Sequence, residues 1–596
     1  MRNALRLPLG AATLCAAFAM MLSPRDADAC GGMFCDGGPM PMPVDQTGEN
    51  IIFVWDGDAI EAHIQIQYMG EAAQFGWVLP LQSVPEFSVG SQPLFDALLA
   101  STVPTYGFSQ TFDDCSLDDG SDPGNGSFGS TAASSASGDG GGESGDSNGE
   151  PPGPQILLTE TVGAFEITVL QGDDPMEVYD WLAENGYQQD PEALPILGEY
   201  IEEGLVFGAV KLTGGADVDE IHPIVLRFQG SEPCVPLRLT RIAAVDDMGV
   251  RTFFLGDARI APLNYRHVLL NQLKVDWRAP QNYGEVLTEA VDEENADGRA
   301  FVTEYAGTSS VVQTGGVLSP SWNANGFSAL TVDQVGDELQ QQGLLFCDVD
   351  FGNGCSFTHP LIESLLGEYV TPPDGVPAAE MWGNWATYAG EVDATLWNGA
   401  DFSTKLTQRV IEPGQHALEL LQQHSYLTRM YTTISPHEMT EDPQFWENEA
   451  LPEVANLLNG TLRTLCNGDQ VFILPDGREV YLPSGEPWPD FPDEPGGIPG
   501  AMPSSQIIEA VPDNGAPMRL SDNTEQIDIV LKAWNDEHGW RSSGGGSGSA
   551  GGSGSDSDGE ANGGEGCGCT SDARSSSMLA LVGLAGFALA RRRRRR

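Results

Sequence analysis

The sequence predicts an α+β fold, with antiparallel sheets in the N-terminal half and helices mainly in the C-terminal half. Alternating apolar and polar residues concentrate in the first 280 positions, and helical periodicity dominates after them. Strands that precede helices, instead of alternating with them, favour α+β over a parallel α/β fold. Residues 116–154 are Ser, Gly, Asp and Pro with almost no apolar content, which predicts one long disordered insert.

The N-terminal strands are predicted from alternation with a period of two. Between residues 59 and 68, Ile60, Ala62 and Ile64 alternate with polar neighbours, as expected for a strand with one buried face. The same pattern places His63 on the solvated face. The other predicted strands span 51–55, 73–79, 155–170 as two runs, 205–212, 224–228, 235–243 and 251–255, the last two joined by a hairpin turn at 245–249.

Helices are predicted where apolar residues recur every three or four positions. The predicted helices span 93–100, 175–185, 191–203, 283–292, 332–344, 360–369 and 408–423. His416 and His424 both lie on the last of these. Because the sequence places no further metal ligands beside them, both are interpreted as core or surface histidines.

Residues 1–29 are predicted to be a signal peptide. Arg2 and Arg6 precede an apolar stretch, and small residues end the segment at Ala29. Signal peptidase would cleave between Ala29 and Cys30, which predicts an exported protein.

The last thirty residues have the composition of a sorting signal. Cys567 and Cys569 precede an apolar run at 578–590, and six arginines close the chain. As a helix this run would span about 20 Å, short of the roughly 30 Å hydrocarbon core of a bilayer. Two outcomes therefore stay open: the run remains as a transmembrane helix, or it is removed by processing.

This tail resembles the myxobacterial C-terminal sorting tail, MYXO-CTERM, in its Gly-Cys-Gly-Cys motif, short apolar segment and terminal arginine cluster. The resemblance implies cleavage by a C-terminal sorting protease and retention at the cell surface or outer envelope. Cys567 is the residue expected to be processed or lipidated, with Cys569 as the alternative. The protein would then be membrane-anchored through its C-terminus.

Four segments follow from these boundaries. The signal peptide precedes an extracellular α+β region at 30–541, and a subdivision of that region near residue 280 is left open. A Gly/Ser-rich stalk at 542–566 leads to the sorting tail at 567–596.

The charge balance excludes nucleic acid as a partner. The chain has 28 basic and 86 acidic residues, a formal net charge of −58. Phosphate backbones are bound by clustered Lys and Arg, which this composition does not supply outside the terminal arginines.

Cysteine usage in an exported chain favours disulfides. Two short loops suggest the pairs Cys30–Cys35 and Cys347–Cys355, and Cys234–Cys466 is a long-range candidate. Cys115, which borders the predicted disordered insert, is then the odd cysteine.

The body of the chain resembles an exported bacterial family catalogued as domain of unknown function 2330. Matching stretches include CGGMFC at 30–35, AHIQIQYMG at 62–70, VYDWLAENGY at 178–187 and YLTRMYTTISPHEMTEDPQF at 426–445. The resemblance covers roughly 30–540. It implies no activity, and the region near 345–405 departs most from the family pattern.

One loop clusters oxygen ligands. Asp348, Asp350 and Asn353 lie between Cys347 and Cys355, a spacing that loosely resembles a calcium loop without its third acid and closing Glu. Calcium is the cofactor that such a loop would take. The alternative is a simple turn closed by the disulfide.

Four aromatic residues form a second candidate site. They are Trp382, Trp385, Tyr388 and Trp397. Aromatic side chains beside carboxylates can form a platform for a sugar-like ligand, whereas a spacing of three or four residues is also typical of a helix face in the core.

No catalytic motif is present: the sequence has no phosphate loop, no nucleophile elbow in a predicted folded segment and no zinc-protease helix motif. We therefore predict a protein displayed on the cell envelope with a binding or structural role toward an unknown extracellular ligand. An extracellular hydrolase acting on a polymer and an envelope assembly partner are the alternatives.

Overall fold

The computed structural model describes residues 45–56, 59–69, 75–115, 153–187, 190–214, 216, 218–230, 233–348, 354–491 and 501–541. All of these belong to one compact unit that ends at Arg541. Among them, no helix is both long and apolar enough to cross a membrane. The predicted signal peptide, stalk and sorting tail lie outside the described residues, as does the predicted disordered insert apart from residues 153 and 154.

The described part of the chain contains many short strands. They are β1 Asp45–Asp56, β2 Ala59–Met69, β3 Gly76–Leu81, β4 Glu86–Val89, β5 Thr105–Phe112, β6 Gln155–Val162, β7 Phe165–Gln171, β8 Val206–Leu212, β9 Ile224–Gln229, β10 Ala244–Gly256, β11 Ile260–Pro262, β12 Arg266–Leu270, β13 Ala300–Thr308, β14 Leu345–Asp348, β15 Gly354–Phe357, β16 Tyr426–Ile434, β17 Phe445–Glu447, β18 Leu457–Thr464, β19 Gln470–Ile473, β20 Glu479–Leu482, β21 Ser505–Ala510 and β22 Met518–Asp522.

The α-helices are fewer and mostly of two or three turns. They are α1 Gln92–Thr102, α2 Pro175–Glu184, α3 Ala193–Glu202, α4 Leu237–Thr240, α5 Tyr283–Val291, α6 Val335–Gln342, α7 Leu361–Gly367, α8 Ala378–Gly383, α9 Trp385–Tyr388, α10 Gly399–Leu406, α11 Glu412–Gln423 and α12 Thr524–Glu537.

A ten-stranded mixed sheet forms the centre of the fold. Its strand order is β22-β21-β12-β13-β16-β10-β1-β2-β9-β4. β1 pairs with β2 antiparallel, placing Ile52 opposite His63, and pairs with β10 parallel. On its other edge β2 pairs with β9, which places Glu61 opposite Arg227.

Both faces of this sheet are covered at β1 and β2. One face packs on a four-stranded sheet, β3-β8-β7-β6, through a core that includes Ile60, Ala62 and Ile64. The opposite face packs on α1 and α11 through a second cluster that includes Ile52 and Leu420. Helices α2 and α3 cover the outer face of the four-stranded sheet.

The fold class is confirmed, because strands lie mostly in the N-terminal half and helices mostly in the C-terminal half. Helices α6 to α10 share one separate apolar cluster. The strands β13 and β16 to β22 were not predicted, however. β16 and β13 complete the middle of the large sheet, and β18 pairs in parallel with β5 from the N-terminal half.

Two local predictions between residues 235 and 256 are wrong. The predicted strand at 235–243 contains the short helix α4 instead, because the Asp442 carboxylate accepts hydrogen bonds from the backbone N–H and the Nε of Arg238, at 2.9 and 3.0 Å. The predicted hairpin at 245–249 lies inside the single strand β10. Its turn residues form an irregularity in the register with β1, and Asp247 has a φ of 57°.

The disulfides confirm one prediction and correct another. Cys347 and Cys355 are bonded, and they lie opposite each other in the β14–β15 hairpin. Cys466 is bonded to Cys115, so the predicted pair Cys234–Cys466 is wrong and Cys115 is not the odd cysteine. The parallel pairing of β5 with β18 brings Cys115 and Cys466 together, an arrangement that spacing alone does not indicate. The predicted pair Cys30–Cys35 lies outside the described residues.

The long-range disulfide should stabilise the fold more than the short one does. Chain-entropy arguments give a loss of about 5 kcal/mol or more for Cys115→Ala with Cys466→Ala, whose sequence separation is 351, and about 2–3 kcal/mol for Cys347→Ala with Cys355→Ala, whose separation is 8. Urea unfolding of the two double variants under oxidising conditions measures the difference. A larger loss of stability in the Cys347–Cys355 double variant than in the Cys115–Cys466 double variant would contradict this expectation.

Candidate functional site

A cluster of three ionisable side chains lies between β2 and α11. Glu61 and His63 are two residues apart on β2, so their side chains project from the same face of the strand. That face is the one covered by α1 and α11, whereas Ile60, Ala62 and Ile64 enter the core on the other side. Both residues are almost fully buried, at 4% and 2% exposure.

The third member, His416, comes from helix α11. Ala417 and Leu420 of the same helix pack into the apolar cluster over the sheet, which fixes the position of the helix above β2. A π-helical turn, Thr407–Ile411, directly precedes α11. Such turns are often found at functional sites. The His416 side chain keeps 40% exposure, so the cluster has one edge open to solvent.

Both imidazoles point at one carboxylate oxygen. Nε2 of His63 lies 2.7 Å from Oε1 of Glu61, and Nε2 of His416 lies 2.5 Å from the same atom. The two rings are nearly parallel, with centroids 5.8 Å apart. Nη1 of Arg227 lies 3.5 Å from the other oxygen of Glu61. A buried carboxylate is stabilised when it is paired and hydrogen-bonded in this way.

The pKa shifts of Glu61 and His416 follow from these contacts. Burial alone would raise the pKa of Glu61, but the hydrogen bonds from His416 and His63 and their charges outweigh burial and hold this pKa well below its ordinary value. The hydrogen bond to Glu61 raises the pKa of His416 above the ordinary histidine value. Glu61 is therefore ionised at any physiological pH, and its contact favours the protonated form of His416 relative to an ordinary histidine.

One nitrogen of the cluster has no hydrogen-bond partner among the described residues. Nδ1 of His63 is buried, and its other ring nitrogen faces Glu61. A buried polar atom of this kind carries a free-energy cost of about 1–3 kcal/mol. The contact with Glu61 is thus the one hydrogen bond of the His63 ring among the described residues.

The donor set fits a divalent transition-metal ion. Two imidazole nitrogens and one carboxylate oxygen lie within 4.8 Å of one another. Zinc is bound by such ligands at about 2.0–2.2 Å, and sites with three protein ligands keep a position for water. Since the Nε2 atoms of both histidines lie at hydrogen-bonding distance from Oε1 of Glu61, an ion would take the place of the protons between these atoms.

The aromatic residues singled out in the sequence do not form an open platform. Trp382 and Trp385 are each 4% exposed and stack on each other, with centroids 5.0 Å apart, inside the cluster formed by α6 to α10. Trp397 packs against the same cluster, and Tyr388 donates a hydrogen bond to Glu380. Trp382 and Trp385 therefore match the alternative prediction, a helix face in the core.

The candidate calcium loop is not described. Asp350 and Asn353 lie outside the described residues, as does the side chain of Asp348. Calcium binding by this loop stays a prediction.

Sequence reasoning did not find the cluster. It placed His63 on a solvated face, which is wrong, because α11 covers that face. It interpreted His416 as lacking partners, because Glu61 and His63 lie more than 350 positions away. The one local signal was the spacing of Glu61 and His63, which puts two potential ligands on one face of a strand.

The comparisons with known proteins settle the family. A model described as "Uncharacterized protein conserved in bacteria (DUF2330)" matches residues 24–446. The chain belongs to the DUF2330 family. All three residues of the cluster fall inside the matched region. No curated protein and no solved structure matches this DUF2330 chain. The strands β18 to β22 lie beyond the match, yet they are part of the same compact unit.

The Glu61 carboxylate should control the protonation of His416. Replacing it by Glu61→Gln removes the charge and most of the hydrogen bond that raise the pKa of His416, so this pKa should fall toward the ordinary value of about 6.5. NMR titration of the histidine ring signals measures the shift, with Glu419→Gln as the control that leaves the direct contact intact.

The contact between Glu61 and His416 stabilises the folded protein over a limited range of pH. Because the folded pKa of His416 is raised and that of Glu61 is lowered, the stabilisation is complete between about pH 4.5 and 6.5. It is lost as the pH rises through the raised pKa of His416, and also as the pH falls from about 4.5 toward the lowered pKa of Glu61. A His416 pKa that is the same in wild type and Glu61→Gln would contradict this account.

Proposed function

We propose that this chain is an exported envelope protein that binds a divalent transition-metal ion through Glu61, His63 and His416. The observation that carries the proposal is the convergence of two imidazole Nε2 atoms on one buried carboxylate oxygen. Buried polar side chains need bonding partners, and a metal ion would bond to these three side chains more strongly than the shared protons do. Zinc is the ion whose preferred ligands match this set.

Binding of the ion competes with protons. Metal ligation needs the Nε2 lone pair of each histidine, so the bound ion displaces the protons that now lie between the rings and Glu61. The raised pKa of His416 opposes binding at acidic pH. Affinity should therefore increase as the pH rises from 6 to 8.

Display at the envelope is supported by the two ends of the sequence. Residues 1–29 have the composition of an export signal, and a Gly/Ser-rich stretch at 542–566 precedes the Cys567 and Cys569 motif, as expected for a stalk before a sorting tail. An acidic folded region on such a stalk is suited to a binding role outside the cell. The metal ion is itself one of the extracellular ligands that we propose for this protein.

An extracellular hydrolase is the second candidate. Three protein ligands leave a coordination position for water, and the exposed edge of His416 gives that position access to solvent. The hydrolase would be favoured over binding alone if the protein releases new chain ends from an extracellular polymer and if that release needs both the ion and Glu61.

Zinc titration tests the metal site directly. Isothermal calorimetry on the full-length chain with Cys567→Ser and Cys569→Ser, which removes the two thiols of the tail, should show saturable binding of one ion. His63→Ala, His416→Ala and Glu61→Gln should each weaken this binding at least tenfold. His424→Ala, at the C-terminal end of the same helix but outside the cluster, is the matched control and should bind as wild type. Equal affinity in all five proteins would refute the site.

The anchoring tail is tested in the cells that make the protein. Deleting residues 578–596 should release the folded region into the medium, because the apolar run and the arginines are lost. Labelling with an alkyne fatty acid should be abolished by Cys567→Ala and retained by Cys569→Ala. Envelope retention of the truncated chain would contradict anchoring through the tail.

A further inference from the structure

A second concave site lies at the end of β17, away from the three-residue cluster. It is a cavity of about 480 Å³ lined by two tryptophans, three carboxylates and one amide. The lining residues are Trp55, Trp446, Glu447, Glu449, Asp513 and Asn514. The volume falls within the range of small-molecule sites.

The two indoles supply the apolar part of this pocket. Trp446 lies on the short strand β17, opposite Ala261, and 39% of its surface is exposed. Trp55 lies at the end of β1, where its ring is 6.0 Å from that of Phe254. An exposed tryptophan at a concave position differs from one scattered on a convex surface, because its face can cover a bound group on one side.

The polar part is held in place by a buried residue. Asn448, at 2% exposure, donates hydrogen bonds to the carbonyl oxygens of Pro512 and Gly515, both at 2.9 Å. These bonds fasten the loop that carries Asp513 and Asn514 against the strand that carries Trp446. The pocket is therefore formed before any ligand arrives, which lowers the entropy cost of binding.

The charge of the lining selects the ligand. The carboxylates of Glu447, Glu449 and Asp513 give the pocket a formal charge of −3 at neutral pH, and no basic residue is among its described lining residues. Hydrogen-bond acceptors therefore outnumber donors. Tryptophan faces beside carboxylates are the combination that attracts an ammonium group, through cation–π and Coulomb interactions together.

We propose that this pocket binds a small organic cation, a quaternary or primary ammonium compound, between the two tryptophans and the three carboxylates. The site is independent of the metal cluster, so either can fail without the other. A free cation is favoured over a zwitterionic lipid headgroup, because the same carboxylates repel a phosphate.

The pocket spans the end of the family match. Trp55 and Trp446 lie within the matched region, and Trp446 is its last residue. The three carboxylates and Asn514 lie after it in the sequence.

Choline and its neutral isostere 3,3-dimethyl-1-butanol test the proposal. Calorimetry or saturation-transfer NMR on the full-length chain should show choline binding at least fivefold tighter than the isostere, and weakening as sodium chloride is raised. Trp446→Ala should weaken choline binding about two- to fivefold. Glu449→Gln with Asp513→Asn should remove the preference for choline, whereas Glu61→Gln should leave it unchanged.

Other outcomes would overturn the proposal. No saturable choline binding, or equal binding of choline and the isostere, means that the carboxylates select no cation. Binding of cellobiose or chitobiose that depends on Trp446 in place of choline would make the pocket a saccharide site. Phosphocholine binding as tightly as choline would point to a lipid headgroup and away from a free cation.

Discussion

Burial of strand β2 on both faces is the constraint on which the candidate site depends. Ile60, Ala62 and Ile64 fill the core between two sheets, and the opposite face lies under α1 and α11. A strand in this position would be expected to carry apolar residues on both sides. Glu61 and His63 are there instead, and their cost in free energy has to be offset by bonds formed within the protein.

That offset comes from residues distant in the chain. The carboxylate of Glu61 is contacted by His63 on its own strand, by Arg227 on β9 and by His416 on α11. These contacts join a strand, its neighbour and the covering helix at one point. Only Glu61 and His63 are buried, and removing any one partner leaves these two with fewer bonds, so the cluster acts as a unit. A metal ion bound by Glu61, His63 and His416 would join β2 to α11 directly.

The sequence predicted what depends on local pattern and missed what depends on contacts between distant segments. The alternation of Ile60, Ala62 and Ile64 placed β2 correctly and identified its core face, and the proximity of Cys347 to Cys355 indicated their disulfide. The burial of His63 could not be predicted, because the helix that covers it is encoded 350 positions later. The Cys115–Cys466 bond likewise depends on the parallel pairing of β5 with β18.

X-ray absorption spectroscopy of the full-length chain with Cys567→Ser and Cys569→Ser, loaded with one equivalent of zinc, tests the central claim most directly. Coordination by Glu61, His63 and His416 predicts only nitrogen and oxygen neighbours at about 2.0–2.2 Å, with the outer-shell scattering of two imidazole rings. The first shell should lose one imidazole in His416→Ala. Sulfur neighbours at about 2.3 Å, or a spectrum that is the same in wild type and His416→Ala, would show that zinc binds elsewhere and would contradict the account.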